Sequence, residues 1–438
     1  MKTKKIFNFL LLLGFLSGCD YLDIVPDNLP TLEMAFNNKS SAERFLFTCY
    51  SFVPEHGKIG TDPGMDVGDE VWYYSDNSAD YSNKTTFWIA KGMQNSNEPL
   101  VDYWNGAQWG KAMFVGIRDC NVFIENIDKV PDLSAYDKET WKAEAKVLKA
   151  FYHFWMMRMY GPIPIIKENI PVSAGEDEVR VVRDKIDDIV TYIVSLIDES
   201  VEYLPLNIQN EAAEMGRITR PAAKAIKAKI LAFAASPFFN GNLDYANFKN
   251  AEGEPFFNQV YDNEKWTKAA DACLEAIQCA EEAGHGLYEF VNMSSTQLSD
   301  ETILSLSNRC KVTERWNKEL VWGCGQSGIR DLQVLCQPWL ESNYSSDDRY
   351  HNARNGTFAP TLAVAETFYT KNGVPMDEDK NYDYSKRYTT QVATEADKYY
   401  IQPGYTTAKL HFDREPRFYA TLGFDGSSWY GIGKMDDN

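Results

Sequence analysis

Apolar residues recur at steps of three and four through much of the first two thirds of the chain, which is the spacing of one helix face. Trp109, Met113, Ile117, Cys120, Ile124 and Ile127 form one such stripe. Trp141, Ala145, Leu148, Tyr152, Trp155 and Met159 form a second, which ends at Gly161-Pro162. Val147, Phe151 and Phe154 add a second apolar face there, so this helix is expected to be buried nearly all round. Ile186, Ile189, Ile193, Ile197, Val201 and Leu204 mark a third helix that stops at Pro205. Pro221 is preset for a helix start and is followed by seven alanines between Ala222 and Ala235, small enough to let a neighbouring backbone come close. Trp266, Ala270, Cys273, Ile277 and Ala280 predict a fifth helix closed by Gly284. On these stripes Trp109, Trp141, Trp155 and Trp266 are expected in the core.

Two stretches break the period. Residues 54–100 are rich in Gly, Asp, Asn and Ser, and residues 286–438 read as loops with short β-like runs and one helix over Thr361–Lys371. Large residues followed by small ones four positions later (Trp141 and Ala145, Trp266 and Ala270) fit the tetratricopeptide pattern loosely. The expected class is mainly α: a tetratricopeptide-like superhelix of stacked helical pairs supporting a loop-rich face.

Composition narrows the function. Lys and Arg number 44 against 63 Asp and Glu, a formal charge of −19, which repels a phosphate backbone and excludes nucleic acid as a partner. Lys2, Lys4 and Lys5 precede an apolar run from Ile6 to Leu16 that is too short to span a bilayer and suited to a signal peptide. It ends in Leu16-Ser17-Gly18-Cys19, which resembles a bacterial lipobox, so residues 1–18 are expected to be removed and Cys19 lipidated. Several acyl chains on one cysteine hold a domain durably at a membrane. The remaining seven cysteines include no Cys-x-x-Cys pair and are expected to be mostly small buried hydrophobes.

Chemical motifs are scarce. The five histidines form no His-Glu-x-x-His, and there is no Walker loop, Gly-x-Gly-x-x-Gly or Gly-x-Ser-x-Gly, so no cofactor and no metal are expected. His153 falls in the all-round apolar helix and reads as a satisfied core histidine. Asp377-Glu-Asp-Lys-Asn381 imitates the start of a calcium loop but lacks its glycine and closing glutamate, and reads as a solvated acidic turn. Asp69-Glu70 is the nearest carboxylate pair for a glycosidase, yet adjacent side chains point apart, and a polar loop is the expected role. The loop aromatics are the better lead. Trp72, Tyr73, Tyr74 and Trp88 share the first non-periodic stretch; Trp316, Trp322 and Trp339 share the second, with Arg330 among them. Sugar rings pack their C–H faces on flat aromatic rings, and their hydroxyls need polar partners beside them. These eight residues are the expected ligand-binding set, the other role open to each ring being to pin a long loop.

Several segments resemble the SusD/RagB family of outer-membrane nutrient-binding lipoproteins. Cys19-Asp-Tyr-Leu-Asp resembles the start of mature members, and Arg118-Asp-Cys-Asn-Val-Phe-Ile-Glu-Asn-Ile127 is similar to the family's first long helix. Glu144 through Tyr152 with Tyr160-Gly-Pro-Ile-Pro-Ile165 is the most recognisable stretch, followed by Gly216-Arg-Ile-Thr-Arg220 and Ala235-Ser-Pro-Phe-Phe-Asn-Gly241. Asn372-Gly-Val-Pro375 and Arg414-Glu-Pro-Arg-Phe-Tyr419 complete the series. The resemblance implies a signal peptide (1–18), an N-terminal SusD-like helical region (19–285) and a loop-rich SusD/RagB region (286–438). It implies a non-enzymatic surface lipoprotein that captures oligosaccharides and delivers them to a SusC-type TonB-dependent transporter in the outer membrane. Peptide capture, as in RagB-like members, and a helical-repeat assembly role without a small ligand are the alternatives. Members usually continue well past the Arg-Glu-Pro-Arg-Phe motif, so a chain ending at Asn438 is expected to be truncated at the C-terminus.

Overall fold

The computed structural model describes residues 32–58, 62–73, 85–293, 297–325, 332–333, 336, 358–431, 433–434 and 437. The expected signal peptide and Cys19 lie outside them. Among the described residues, seven helices of twelve residues or more carry the architecture: α1 Lys39–Tyr50, α2 Met113–Asn126, α3 Ala135–Tyr160, α4 Ile186–Asp198, α5 Arg220–Ala235, α6 Glu264–Glu282 and α7 Asp300–Thr313. The first six pack in chain order, each on the next, as in a tetratricopeptide-like stack. The class is mainly α, and none of the described helices is long and apolar enough to cross a membrane.

Local chemistry sets the helix ends. Ser134 caps α3 by accepting from the Asp137 N–H, and Thr219 caps α5 by accepting from the Ala222 N–H, with Pro221 in the first turn. Helix α3 is the axis of the main core. From Ala143 to Met157 nearly every side chain is buried, including Trp155, Tyr152 and Phe154. Trp141 is buried too.

Polar groups inside this core are satisfied by each other. Glu144 of α3 is 2% exposed and accepts from Arg217 Nη2 at 2.8 Å, Arg217 Nε at 3.2 Å and Tyr50 Oη at 2.6 Å. Tyr50 Oη in turn accepts from the Ile218 N–H at 2.9 Å. Burial lifts the Glu144 carboxyl above the usual carboxylate range, and the Arg217 guanidinium and Tyr50 hydroxyl oppose that lift. His153 is fully buried; Nδ1 donates to the Lys149 carbonyl at 2.8 Å and Nε2 accepts from the Ile166 N–H at 3.2 Å. Burial holds its pKa down at about 4.

Four expectations are corrected. Trp109 is 75% exposed with φ +70°, because the loop before α2 is tightly wound by Asp102, whose carboxylate accepts from the Trp104 and Asn105 N–H groups; α2 starts only at Met113. Trp266 is 43% exposed: α6 buries Ala269, Ala272, Ala276 and Cys279 instead of the stripe through Trp266 and Ile277. The helix expected over Thr361–Lys371 runs only from Leu362 to Thr367, because Phe368 turns extended and the buried Arg414 guanidinium takes the Ala365 and Phe368 carbonyls. Within Asp377–Asn381, Asp379 is not a solvated turn residue: it is buried and accepts from Thr370 Oγ1 at 2.5 Å, Asn372 Nδ2 at 2.9 Å and the Asn381 N–H at 2.8 Å. Helix α7 also lies inside the stretch read as loops. It packs on the helix Pro416–Thr421 of a small C-terminal module, whose own core includes Ile401, Phe412, Phe418 and Leu422.

Two short antiparallel ladders tie loops together, the first joining segments far apart in sequence. Strand β1 (Val71–Tyr73) pairs with β2 (Phe358–Pro360), with Trp72 opposite Ala359. Strand β3 (Thr390–Val392) pairs with β4 (Thr406–Ala408).

Two outcomes follow from the buried polar groups. Arg217→Ala leaves the Glu144 charge buried without its partner and should cost about 3–5 kcal/mol in denaturant unfolding, whereas Lys142→Ala, which removes pairs to Asp128 and Glu139 that lie at the surface, should cost under about 1 kcal/mol. The folded chain holds His153 neutral, while the unfolded chain protonates it near the ordinary value of about 6.5. The unfolded state therefore gains a proton that the folded state refuses, and stability should fall as pH drops from about 6.5 towards 4, then level off for this group. His411, also held at about 4 by burial, contributes in the same window. A His153→Gln chain, followed by unfolding midpoint against pH, should show a shallower slope there than the parent.

Candidate functional site

The aromatic candidates fall in two places. Trp72, on β1, lies against Phe87 with ring centroids 4.9 Å apart and remains 38% exposed. Trp88, in the short helix Thr85–Ala90, is equally exposed, with the Lys91 ammonium 5.3 Å from its ring. Phe87 and Phe358 are buried with Met65, Val71 and Leu332 packed alongside, a small local core that Trp72 meets through Phe87, the residue before Trp88. Tyr73 follows Trp72 in β1. Tyr74, Arg330 and Trp339 lie outside the described residues.

The second place is built round Trp322. Its Nε1 donates to the Gly216 carbonyl at 2.9 Å, and its ring meets Phe151 of α3 edge-on at 5.6 Å. Gly216 has φ +99°, a conformation that strains any residue with a Cβ. A Cβ there would also stand 3.3 Å from the Gly323 carbonyl and 3.6 Å from the Trp316 ring, so glycine lets the two loops touch. Trp316, itself at φ +58°, lies beside Gly216, Gly323 and Gly325.

Trp322 is a wall shared by two neighbouring cavities. One, of about 490 Å³, is largely apolar and is lined also by Phe47, Val53, Pro54, His56 and Met215. The other, of about 420 Å³, is more polar and includes Asn207, Glu211, His285, Trp316 and Lys318. Arg217, the buried ion-pair partner of Glu144, borders both. At the rim, His56 Nδ1 lies 3.7 Å from Asp62 Oδ2, and Asp62 also accepts from the Gly57 and Gly64 N–H groups, both at 2.9 Å. Burial pushes the Asp62 carboxyl up, but His56 and these N–H groups outweigh it and hold it below the usual carboxylate range.

Asp69 and Glu70 are exposed, and their carbonyls accept from the Thr361 hydroxyl and N–H, which fixes the turn into β1. Among the described residues no group of three or more His, Cys, Asp or Glu could hold a metal ion. Phe47 and His56 were not singled out in the sequence. Phe47 carried a signal: α1 buries Ala42, Leu46 and Cys49, and Phe47 is a large apolar residue off that stripe, 44% exposed.

Comparison with known proteins supplies the family. Residues 20–231 match the SusD-like family model described as starch-binding, associating with outer membrane, and residues 329–437 match the SusD family model. Together they cover most of the chain. The SusD-like protein P25 of Formosa agariphila is 23% identical over 240 residues, 52% of this chain and 43% of the relative. The solved structure of BT4246 is 28% identical with a TM-score of 0.71, over 89% of this chain and 65% of that one. A SusD-like carbohydrate-binding protein from Bacteroides fragilis superposes with a TM-score of 0.51 at 17% identity, over 88% of this chain and 59% of that one, a likeness of fold. The chain thus spans less than two thirds of the length of each of these relatives.

The geometry separates two kinds of tryptophan. Trp322 is half-buried and hydrogen-bonded, so Trp322→Ala should lower stability by about 2–3 kcal/mol through lost packing and an orphaned carbonyl. Trp88→Ala should change it by less than about 1 kcal/mol. Thermal or denaturant melts of the two variants check the difference.

Proposed function

The chain belongs to the SusD family, and from that premise we propose that it is a surface-held glycan-binding protein of nutrient uptake with no catalysis of its own. In this reading a lipid on Cys19 anchors it in the outer membrane facing outward, and it hands captured oligosaccharides to a SusC-type TonB-dependent transporter. The helical region, residues 19–285, supplies rigidity, and residues 286–438 supply much of the variable face.

One observation carries the binding half of the proposal. Trp72 and Trp88 keep more than a third of their surface open although a small apolar core lies against Trp72 and includes Phe87, the residue before Trp88. Burying them would be favourable on apolar grounds alone, so two open indoles on one small rigid support fit a surface that receives a flat apolar face. A sugar ring offers such a face while its hydroxyls stay hydrated or bonded to neighbours. The Trp316–Trp322 cavities add a second aromatic surface with polar partners, among them Asn207, Glu211 and Lys318, and Tyr73, Tyr74, Arg330 and Trp339 complete the proposed set. The non-catalytic half is supported by the exposed Asp69 and Glu70, adjacent residues whose backbone carbonyls serve the β1 turn.

Isothermal calorimetry with a panel of soluble oligosaccharides tests this. At least one should bind, and Trp88→Ala should weaken it by up to about tenfold, since an aromatic platform contributes roughly 0.5–1.5 kcal/mol beyond area burial. Binding of peptides with no saccharide bound would replace the glycan reading by a RagB-like one. Product accumulating in molar excess over protein would overturn the non-catalytic reading.

A further inference from the structure

Helices α1 and α2 run side by side in opposite directions, and their contacts step along one seam. Phe45 stacks on Phe123 with ring centroids 6.3 Å apart. At the other end Gly116 faces Phe52 so closely that a Cβ would lie 2.8 Å from the Phe52 ring. Midway between these pairs stand Cys49 and Cys120. Both are fully buried free thiols, each on the inward face of its helix, so the seam sets them opposite each other. The missing Cβ at Gly116 lets the two backbones approach one turn away from this pair. Tyr152 of α3 backs the seam, its hydroxyl donating to the Cys49 carbonyl.

We propose that Cys49 and Cys120 are a disulfide site, closed while the chain folds in an oxidising compartment. The oxidant is a disulfide, either a small one such as oxidised glutathione or that of a dithiol oxidoreductase. One cysteine thiolate attacks a sulfur of the oxidant and releases one thiolate, leaving a mixed disulfide. The second cysteine thiolate attacks the protein sulfur of that mixed disulfide and releases the other thiolate. The two cysteine thiols lose two electrons and two protons; the oxidant gains both and leaves as two thiols. Timing follows from burial: once α1, α2 and α3 have closed, no oxidant reaches either sulfur, and burial pushes the Cys120 thiol well above its ordinary value, so little thiolate remains. The bond therefore belongs to the folding chain.

Its place gives it a consequence. The segment between the two cysteines carries Trp72 and Trp88, so the cross-link would tie together the base of the loops proposed to meet ligand. The chemistry itself does not depend on what the chain binds, and its test is independent of ligand.

The full chain is unfolded with reductant and refolded in a glutathione buffer containing the oxidised form. It is then alkylated under denaturing conditions, digested and mapped by mass spectrometry. The expected product is a Cys49–Cys120 peptide pair lighter by two hydrogens, with the surface cysteines alkylated. This form should also unfold at higher denaturant than the same chain refolded under reductant. Finding both Cys49 and Cys120 alkylated in the folded product overturns the proposal. So does a cross-linked form that unfolds at lower denaturant than the reduced one, since the native seam could not then hold the bond. Cys120→Ala should leave Cys49 fully alkylatable; Cys49 cross-linked to another cysteine at comparable yield would show that proximity to Cys120 does not direct it. Cys273→Ser, at an exposed position of α6, should leave the yield unchanged, and a marked fall overturns the assignment.

Discussion

A carboxylate with almost no access to water sits in the middle of α3, and much of the molecule is arranged to make that tolerable. Removing a charge from water costs several kcal/mol, and a single partner rarely offsets it. Glu144 has a guanidinium on both oxygens and a hydroxyl on one. Each partner comes from elsewhere in the chain: Tyr50 from the last turn of α1, Arg217 from the loop that leads into α5. Arg217 also lies 5.2 Å from the centre of the Trp141 ring, and Glu214 meets its other nitrogen at 3.0 Å. Satisfying one charge therefore fixes three segments against each other. The segment 215–217 held in this way is also a wall of both Trp322 cavities. The rigidity of the candidate site is inherited from the core.

The same logic of close approach governs the stack further along. Helix α5 meets α6 through alanines, with Ala228 against Ala272 and Ala276. A seam of small side chains brings backbones together and gains dispersion contacts over the whole length of the helices. It also inverts the usual reading of an amphipathic helix. The large residues Trp266, Leu274 and Ile277 face outward because the inward face has no room for them.

That inversion shows what could be seen in the sequence. Helices α3 and α4 were legible because their stripes are made of large apolar residues and end at a glycine or proline, and α5 because Pro221 marks its start ahead of an alanine-rich run. The register of α6 was not, since a hydrophobicity pattern gives little weight to alanine. The start of α2 was hidden because the loop before it is held by one aspartate, a local hydrogen-bond solution that leaves the apolar spacing intact. Helix α7 buries only Thr302 and Leu306 and so has almost no stripe to see. Of the site, the residue types were visible and their grouping was not. Trp72 acquires its partners from a strand almost three hundred residues away, and no local spacing encodes such a pairing.

The family motifs then take on a physical meaning. Glu144, Arg217 and Arg414 all lie in the segments that resemble SusD proteins, and all three are buried hubs. Arg414 donates to the carbonyls of Ala365, Phe368, Tyr369 and Leu410, closing the C-terminal module as Arg217 closes the helical one. Hubs of this kind tolerate few replacements, because removing either partner strands a buried charge or several carbonyls. The recognisable residues therefore report the scaffold. Trp72 and Trp88 stand instead on segments placed by the β1–β2 pairing and the small core of Phe87 and Phe358, and their rings stay more than a third exposed, where stability restrains them little. A ring at position 72 or 88 can change without disturbing Arg217 or Arg414, so one scaffold can present different aromatic surfaces outside the motifs.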